Sequence, residues 1–383
     1  MSPHTVKWGI ISTGGIATNF TTDLLVDPST RGSDDVAHVV AAVGSRSVAS
    51  AQSFIDKLKD FAPDHPSSWG AKNGVIDQTK AYGSYSEVFR DPNVDVVYIG
   101  TPHTFHHANA KEALQAGKHV LCEKPVTFDM EELEELLAIA KEKNLFFMEA
   151  VWTRFHPIAY DIQQLVHSGK LGKVKRFIAD NSLDFKPDTL ELSHRMLDPK
   201  LGGGALLDLG PYPSVWAMLV MHQHPDNADR AAPALVNSHQ TILNKTKVDA
   251  NSRWRLEWEN VGPADLACDM TTTGFRDWAV IISCEEADVF IEYPPWRPLA
   301  YSIVPKSDIQ PGSVKERQRF VPKSHPGGSM HYEADEVARC LRDGKKQSER
   351  MPWDESRVVQ SWFDKVRKDG NSVLKDVKGT AGQ

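Results

Sequence analysis

Val120-Leu121-Cys122-Glu123-Lys124-Pro125 is a short apolar run that closes on a carboxylate, a lysine and a proline. Val120 and Leu121 read as a buried strand, and Gly117-Lys118 just before them marks its start. Asp129 then caps a helix on which Leu133, Leu136, Leu137 and Ala140 share one face at a 3.6-residue period. Glu123 and Lys124 therefore sit at the carboxyl end of a strand, where an open α/β sheet keeps its ligand crevice. A lysine in that position is placed to act on something bound.

Working back toward the start, Val6 to Ser12 is a strand. It runs into Thr13-Gly14-Gly15-Ile16-Ala17 and a helix from Asn19 onward. Strand, glycine turn and helix are the context in which a dinucleotide is held. Gly14 lets the backbone approach a pyrophosphate, whose charge the helix amino terminus favours. Ala17 stands where a small residue packs helix on strand, and Ser12 replaces the usual first glycine. Val36 to Val43 reads as a second strand buried on both faces, closing on Gly44-Ser45-Arg46-Ser47. An acidic residue there would hold a ribose 2′-hydroxyl, and none is present. Arg46 with flanking serines suits a 2′-phosphate, so the reading is NADP over NAD.

Residues 56–80, rich in Pro, Ser and Gly, read as a loop or insertion without chemistry. Asp95 to Gly100 is the next buried strand, ending in Thr101-Pro102-His103-Thr104-Phe105-His106-His107. No cysteine or carboxylate completes a metal set at known spacing, so no metal is expected. The helix Ala108 to Ala116 leads back to the Lys124 strand. A strand at Leu145 to Met148 completes a β-α-β alternation over residues 1–150, a doubly wound parallel sheet.

After Trp152-Thr153-Arg154-Phe155 the pattern changes, and residues 151–383 read as a second, α+β domain. Segments 173–185, 235–244, 253–258, 264–272 and 278–293 read as longer strands of a mainly antiparallel sheet, joined by turns. Gly202-Gly203-Gly204-Ala205 opens a helix running to about Met221, on which Asp208 and Tyr212, four apart, share one face. Two closing helices are expected at 331–342 and 354–368.

The 383 residues carry a formal net charge of -7, which argues against a nucleic-acid footprint or a membrane-surface role. No apolar run approaches the ~20 residues of a membrane span, and Met1 to Lys7 carry no signal-peptide pattern. Four scattered cysteines fit a reducing compartment. A soluble, cytoplasmic protein is expected.

Taken together, the glycine turn, Thr101-Pro102-His103 with His106, Glu123-Lys124-Pro125 and Gly203-Gly204-Ala205-Leu206-Leu207-Asp208-Leu209-Gly210-Pro211-Tyr212 resemble the Gfo/Idh/MocA oxidoreductases. Trp152-Thr153-Arg154-Phe155 and the tail Tyr332 to Cys340 are similar to the dimeric dihydrodiol dehydrogenase branch, which includes fungal NADP-dependent D-xylose 1-dehydrogenases. The resemblance implies Lys124 as catalytic lysine, Tyr212 as acid/base and Asp208 on a substrate hydroxyl. Trp152 and Phe155 would wall a sugar pocket. Ser12, Thr13, Gly14, Gly15, Ile16, Thr101, Pro102, His103, His106, Glu123, Lys124 and Arg154 would lie along the cofactor, with Ser45 and Arg46 on its 2′-phosphate. It also implies that the mainly antiparallel sheet of the second domain is open on one face, and that a homodimer forms through that face. The activity implied is oxidation of D-xylose and related aldoses at the anomeric carbon. Oxidation of trans-dihydrodiols by the same residues, or a non-catalytic NADP-responsive regulator, are the alternatives. A free tyrosine is a poor base at neutral pH, its pKa lying near 10. An adjacent ammonium favours the phenolate, which gives the lysine–tyrosine pair its logic.

Overall fold

The computed structural model describes residues 2–60, 74–306, 317–323, 325–370 and 372. The described residues divide into two compact units, one within 1–152 and 325–356, the other within 153–324 and 357–378.

The first unit is a doubly wound α/β sheet. Its strands are β1 (His4–Ile11), β2 (Val36–Gly44), β3 (Lys80–Tyr82), β4 (Val96–Ile99), β5 (His119–Glu123) and β6 (Phe147–Ala150), in the order β3-β2-β1-β4-β5-β6. Every neighbouring pair is parallel. Strands of this kind are covered on both faces, and β4 is buried at all four positions. The order reverses between β1 and β4, the switch point at which such sheets open a crevice beyond their carboxyl ends. Helices α1 (Gly15–Leu24), α2 (Val48–Lys59), α3 (Tyr85–Arg90), α4 (His106–Gln115) and α5 (Met130–Glu142) alternate with the strands. The cap on α5 is as the sequence requires: Asp129 Oδ1 accepts from Glu132 N–H at 3.0 Å, and Glu132 returns a carboxylate to Phe128 N–H at 3.0 Å. The loop reading of 56–80 falls mostly on 61–73, outside the described residues; 56–59 close α2 and Lys80 opens β3.

The second unit carries an eight-stranded sheet ordered β14-β13-β12-β11-β7-β10-β9-β8. Its strands are β7 (Val174–Ser182), β8 (Ala234–Ile242), β9 (Asp249–Trp258), β10 (Gly262–Asp269), β11 (Val280–Cys284), β12 (Ala287–Ile291), β13 (Tyr301–Pro305) and β14 (Gln318–Phe320). All pairs are antiparallel except β7 with β10. The stretch 278–293, read as one strand, is instead the hairpin β11–β12, turning at Glu285-Glu286 without a glycine or asparagine to announce it. On β11 and β12 alternate residues are buried, and Ile281 and Phe290 on the other face are half-exposed. Helix α6 (Pro157–His167) precedes this sheet. The glycine cluster opens α7 (Ala205–Leu209) and α8 (Pro211–Ala217), which lie on β7, β9 and β10.

Of the closing helices, α9 (His331–Arg342) packs on β1, β2 and α1 of the first unit, although the sequence reading placed all of 151–383 in the second domain. A buried ion pair explains its seat. Arg31 donates from Nε and Nη2 to the two oxygens of Asp335, each at 2.7 Å. His38 Nδ1 accepts from the Trp8 indole at 3.1 Å, which leaves the Nε2 proton for Asp335 Oδ1 at 2.9 Å. Burial raises the Asp335 pKa, but the hydrogen bonds from Arg31 and His38 and the charge of Arg31 outweigh it and hold the carboxyl well below its ordinary value. A depressed carboxyl stabilises the fold above its unfolded pKa, near 3.9, and that contribution is lost as pH falls further. Removing one partner strands the other charge. Arg31→Met should therefore destabilise the first unit by about 3–5 kcal/mol in urea melts at pH 7, and by much less near pH 2. The last helix, α10 (Trp353–Gly370), starts one residue before the expected 354 and runs two past 368.

Candidate active site

The turn after β1 builds one wall of the crevice. Ser12, standing where a glycine is usual, adopts φ 91°, the left-handed region that a side chain enters at a cost of roughly 1–2 kcal/mol. Its Oγ accepts from Gly14 N–H at 3.2 Å, a local bond that offsets part of that strain. Helix α1 begins at Gly15 rather than at Asn19, because Gly14 is already extended and serves as its N-cap. No side chain caps this end, so its first N–H groups remain for an anion. Thr13 Oγ1 lies 3.3 Å from Ser45 Oγ, joining this turn to the end of β2. Ser45 is buried, Arg46 is exposed, and Ser47 caps α2 through Ser50 N–H at 3.2 Å. The guanidinium thus stands at the strand end with no carboxylate among residues 44–47. This set can hold a phosphate.

Beyond β4 and β5 the chain is tied down by a single ring. His106 is 1% exposed, and its two nitrogens lie 2.8 Å from Thr101 O and 2.8 Å from Pro125 O. Burial pushes its pKa down to about 4, against the two carbonyls and with the help of the Lys124 charge. Asn109 Nδ2 donates to Thr101 Oγ1 at 3.2 Å. Pro102 is exposed and His103 half-buried, its ring 5.7 Å from that of His106. Glu123 and Lys124 are both buried, and the Lys124–Pro125 peptide is cis. Tyr98 donates its hydroxyl to Glu123 Oε1 at 2.6 Å, while Lys124 N–H donates to Glu123 Oε2 at 3.3 Å. Glu333, from α9, lies fully buried nearby; burial first, then the charges of Glu123 and Asp23, push its carboxyl well above the usual range. Glu123 is therefore a fixed support for the backbone that carries Lys124.

After β6, Trp152 is half-buried, while Arg154 and Phe155 are buried at 1% and 4% exposure. In the second unit the α7–α8 segment presents Asp208 and Tyr212. Asp249, itself buried, accepts Leu206 N–H at 2.8 Å and the Ser252 hydroxyl at 2.8 Å, fixing the first turn of α7. Asn181 Nδ2 donates to Leu209 O at 3.0 Å at the other end. Gly210 keeps helical angles, so the chain stays helical across the α7–α8 junction and the four-residue spacing keeps its meaning. Tyr212 is half-buried, its ring 5.8 Å from that of Trp296 at 52°, and Tyr293 meets Trp296 edge-on at 5.5 Å. Asp208 Oδ1 accepts from Arg195 Nη1 at 2.9 Å. Among the described residues no group of three or more His, Cys, Asp or Glu could hold a metal ion.

Two family models match the chain: an oxidoreductase family with an NAD-binding Rossmann fold over residues 6–151, and the GFO/IDH/MocA C-terminal domain over residues 160–290. D-xylose 1-dehydrogenase (NADP(+)) of Hypocrea jecorina is 37% identical, the alignment covering 96% of this chain and 93% of that protein. This protein is a Gfo/Idh/MocA oxidoreductase. Trans-1,2-dihydrobenzene-1,2-diol dehydrogenase of Xenopus tropicalis is 31% identical over 94% of this chain and 96% of its own. The fold of this Gfo/Idh/MocA chain is also that of a 3-ketoreductase from Actinomadura kijaniata, crystallised with NADP and TDP-benzene. The TM-score is 0.74 at 20% identity, covering 96% of this chain and 98% of that one.

Sequence reasoning passed over Arg195, Asp249 and Trp296. Arg195 and Asp249 belong to no local motif, since each meets its partner across a loop. Trp296 follows Pro294-Pro295, a pair that reads as a turn and hides the ring beside Tyr212.

Proposed function

We propose that this oxidoreductase uses NADP to oxidise D-xylose and related aldoses at the anomeric carbon, releasing the aldonolactone. The observation that carries it is the joint presence of Lys124, Asp208 and Tyr212 in a chain 37% identical, over nearly its whole length, to a D-xylose 1-dehydrogenase. The cofactor reading is supported by the uncapped start of α1 and the exposed Arg46 beside Ser45, with no acidic residue to hold a 2′-hydroxyl. Those residues fit a dinucleotide with a 2′-phosphate, and Thr101, Pro102, His103, Glu123 and Arg154 are assigned along it. When bound there, the dinucleotide would supply the hydride acceptor for oxidation of the anomeric carbon.

The protein's own part is proton handling and orientation. Tyr212, as phenolate, takes the proton of the anomeric hydroxyl while the C–H bond is lost, so the ring carbon becomes the lactone carbonyl. Lys124 supplies the ammonium that favours the phenolate, and Asp208 accepts a hydrogen bond from a substrate hydroxyl. Trp152 and Phe155 offer apolar surface to the sugar. The first unit is assigned the dinucleotide, and the second the substrate and subunit pairing. For pairing we assign the half-exposed row Ile178–Ile281–Phe290 on the open sheet face, checked by sedimentation of the purified protein at a dimer's mass.

The test mixes purified protein with D-xylose and NADP and follows reduced nicotinamide by absorbance. NAD, other aldoses and a trans-dihydrodiol run alongside. Reduction with xylose and NADP, and weakly with NAD, is expected. In the same assay Arg46→Ala should raise the NADP KM about 10–100-fold and leave that for NAD unchanged, the effect of losing a charge-assisted contact. Turnover of the dihydrodiol alone would replace the substrate, a reading favoured by the 31% identical relative. No turnover with NADP still bound would replace the enzyme by a regulator.

A further inference from the structure

Arg195 has no place in the mechanism above, yet its side chain meets Asp208. Its Nη1 donates to Asp208 Oδ1 at 2.9 Å, and the two side chains are 52% and 12% exposed. A pair this open adds at most about 1 kcal/mol to stability, so holding the fold together does not account for it. The guanidinium has five N–H donors in a fixed plane, and among the described residues Asp208 takes one of them. Its Cζ lies 5.8 Å above the Phe185 ring, an apolar floor that limits its movement. The loop that carries it is held as well. Met196 and Leu197 are buried, and Met196 O accepts from Gly204 N–H at 3.0 Å, just before α7. Arg195 and Asp208 therefore share one rigid base.

An acceptor and a multiple donor side by side match one chemical pattern. In a vicinal diol, one hydroxyl gives its proton to the carboxylate, and the adjacent oxygen takes an N–H from the guanidinium. We propose that Arg195 and Asp208 together read a vicinal diol, with Arg195 the specificity-determining residue for the second hydroxyl. The assignment rests on the reading that Asp208 faces substrate. It names the element that an aldose and a trans-dihydrodiol have in common, so one site serves either class. A lone alcohol satisfies only half of it and leaves a donor unanswered.

The test compares D-xylose with 2-deoxy-D-xylose as substrates of the wild-type holoenzyme, Arg195→Met and Arg195→Lys. The wild type should prefer the diol about 10–100-fold in kcat/KM, the size of one charge-assisted bond. Arg195→Met should lose that factor on xylose, mainly through KM, with the deoxy sugar changed less than about threefold. Arg195→Lys should recover part of it, since an ammonium donates without the fork. Equal losses on both sugars would mean that Arg195 only shapes the loop, and no loss would mean that it does nothing here; either overturns the proposal. Equilibrium binding of trans-1,2-cyclohexanediol and cyclohexanol to the NADPH-loaded protein separates this from the choice of substrate. Tighter diol binding that depends on Arg195 upholds the diol reader even where xylose is not turned over. Equal binding of the two alcohols sinks it even where xylose is.

Discussion

Tyr212→Phe should lower kcat on the aldose about 10²–10⁴-fold while NADP binding stays within about twofold of wild type. The span is what a positioned general base contributes. The substitution removes one hydroxyl and keeps the ring, so the contact with Trp296 at 5.8 Å and the helix that carries it remain. Lys124→Ala should fall in the same range, because the phenolate loses the charge that favours it. The Glu123 carboxylate still accepts the backbone N–H of residue 124 in that variant. Steady-state rates with a parallel cofactor titration decide the matter. Near-wild-type turnover in either variant would remove both residues from the chemistry.

Gly204→Ala should be the most damaging single change in the second unit. Gly204 sits at φ 119° and ψ 154°, a region open essentially to glycine alone. Its Cβ would also collide with Asp249 Oδ1. Asp249 has little room to yield, since it is buried and bonded to Leu206 N–H and the Ser252 hydroxyl. Backbone strain and displaced cap together should cost at least about 3 kcal/mol, read as a lower urea midpoint. Activity should fall further than stability explains, because the same turn positions Asp208 and Tyr212. Gly15→Ala is the control: nothing lies within 4 Å of its added Cβ, and the apo protein should unfold within about 0.5 kcal/mol of wild type.

The parts of this molecule that sequence reveals are those whose signal is local. The Lys124 strand is apolar up to its last residues, and Asp129 and Glu132 spell out a cap. The sequence around Lys124 and Tyr212 therefore places both motifs on their elements, the end of β5 and the start of α8. What stayed hidden depends on partners far along the chain. Arg31 and Asp335 are 304 residues apart, and the periodicity of α9 says that it is a helix but not which sheet it covers. Arg195 meets Asp208 at a separation of 13 residues, through a loop with no repeating pattern. The β11–β12 hairpin was invisible for another reason: its turn is two glutamates, which have no preference for the backbone angles a tight hairpin needs.

The seating of α9 on the first sheet carries a consequence for how the protein is made. Residues 151–330 are synthesised between the last strand of that sheet and the helix that closes it. At ordinary translation speeds this interval lasts on the order of ten to thirty seconds. Throughout it the nascent chain holds Arg31 and His38 without Asp335, and leaves uncovered the apolar surface that α9 will take. The dinucleotide half begins first and is completed late, so a ribosome stalled anywhere in residues 153–324 leaves the first unit unfinished. For this chain, biosynthetic order and structural order run against each other.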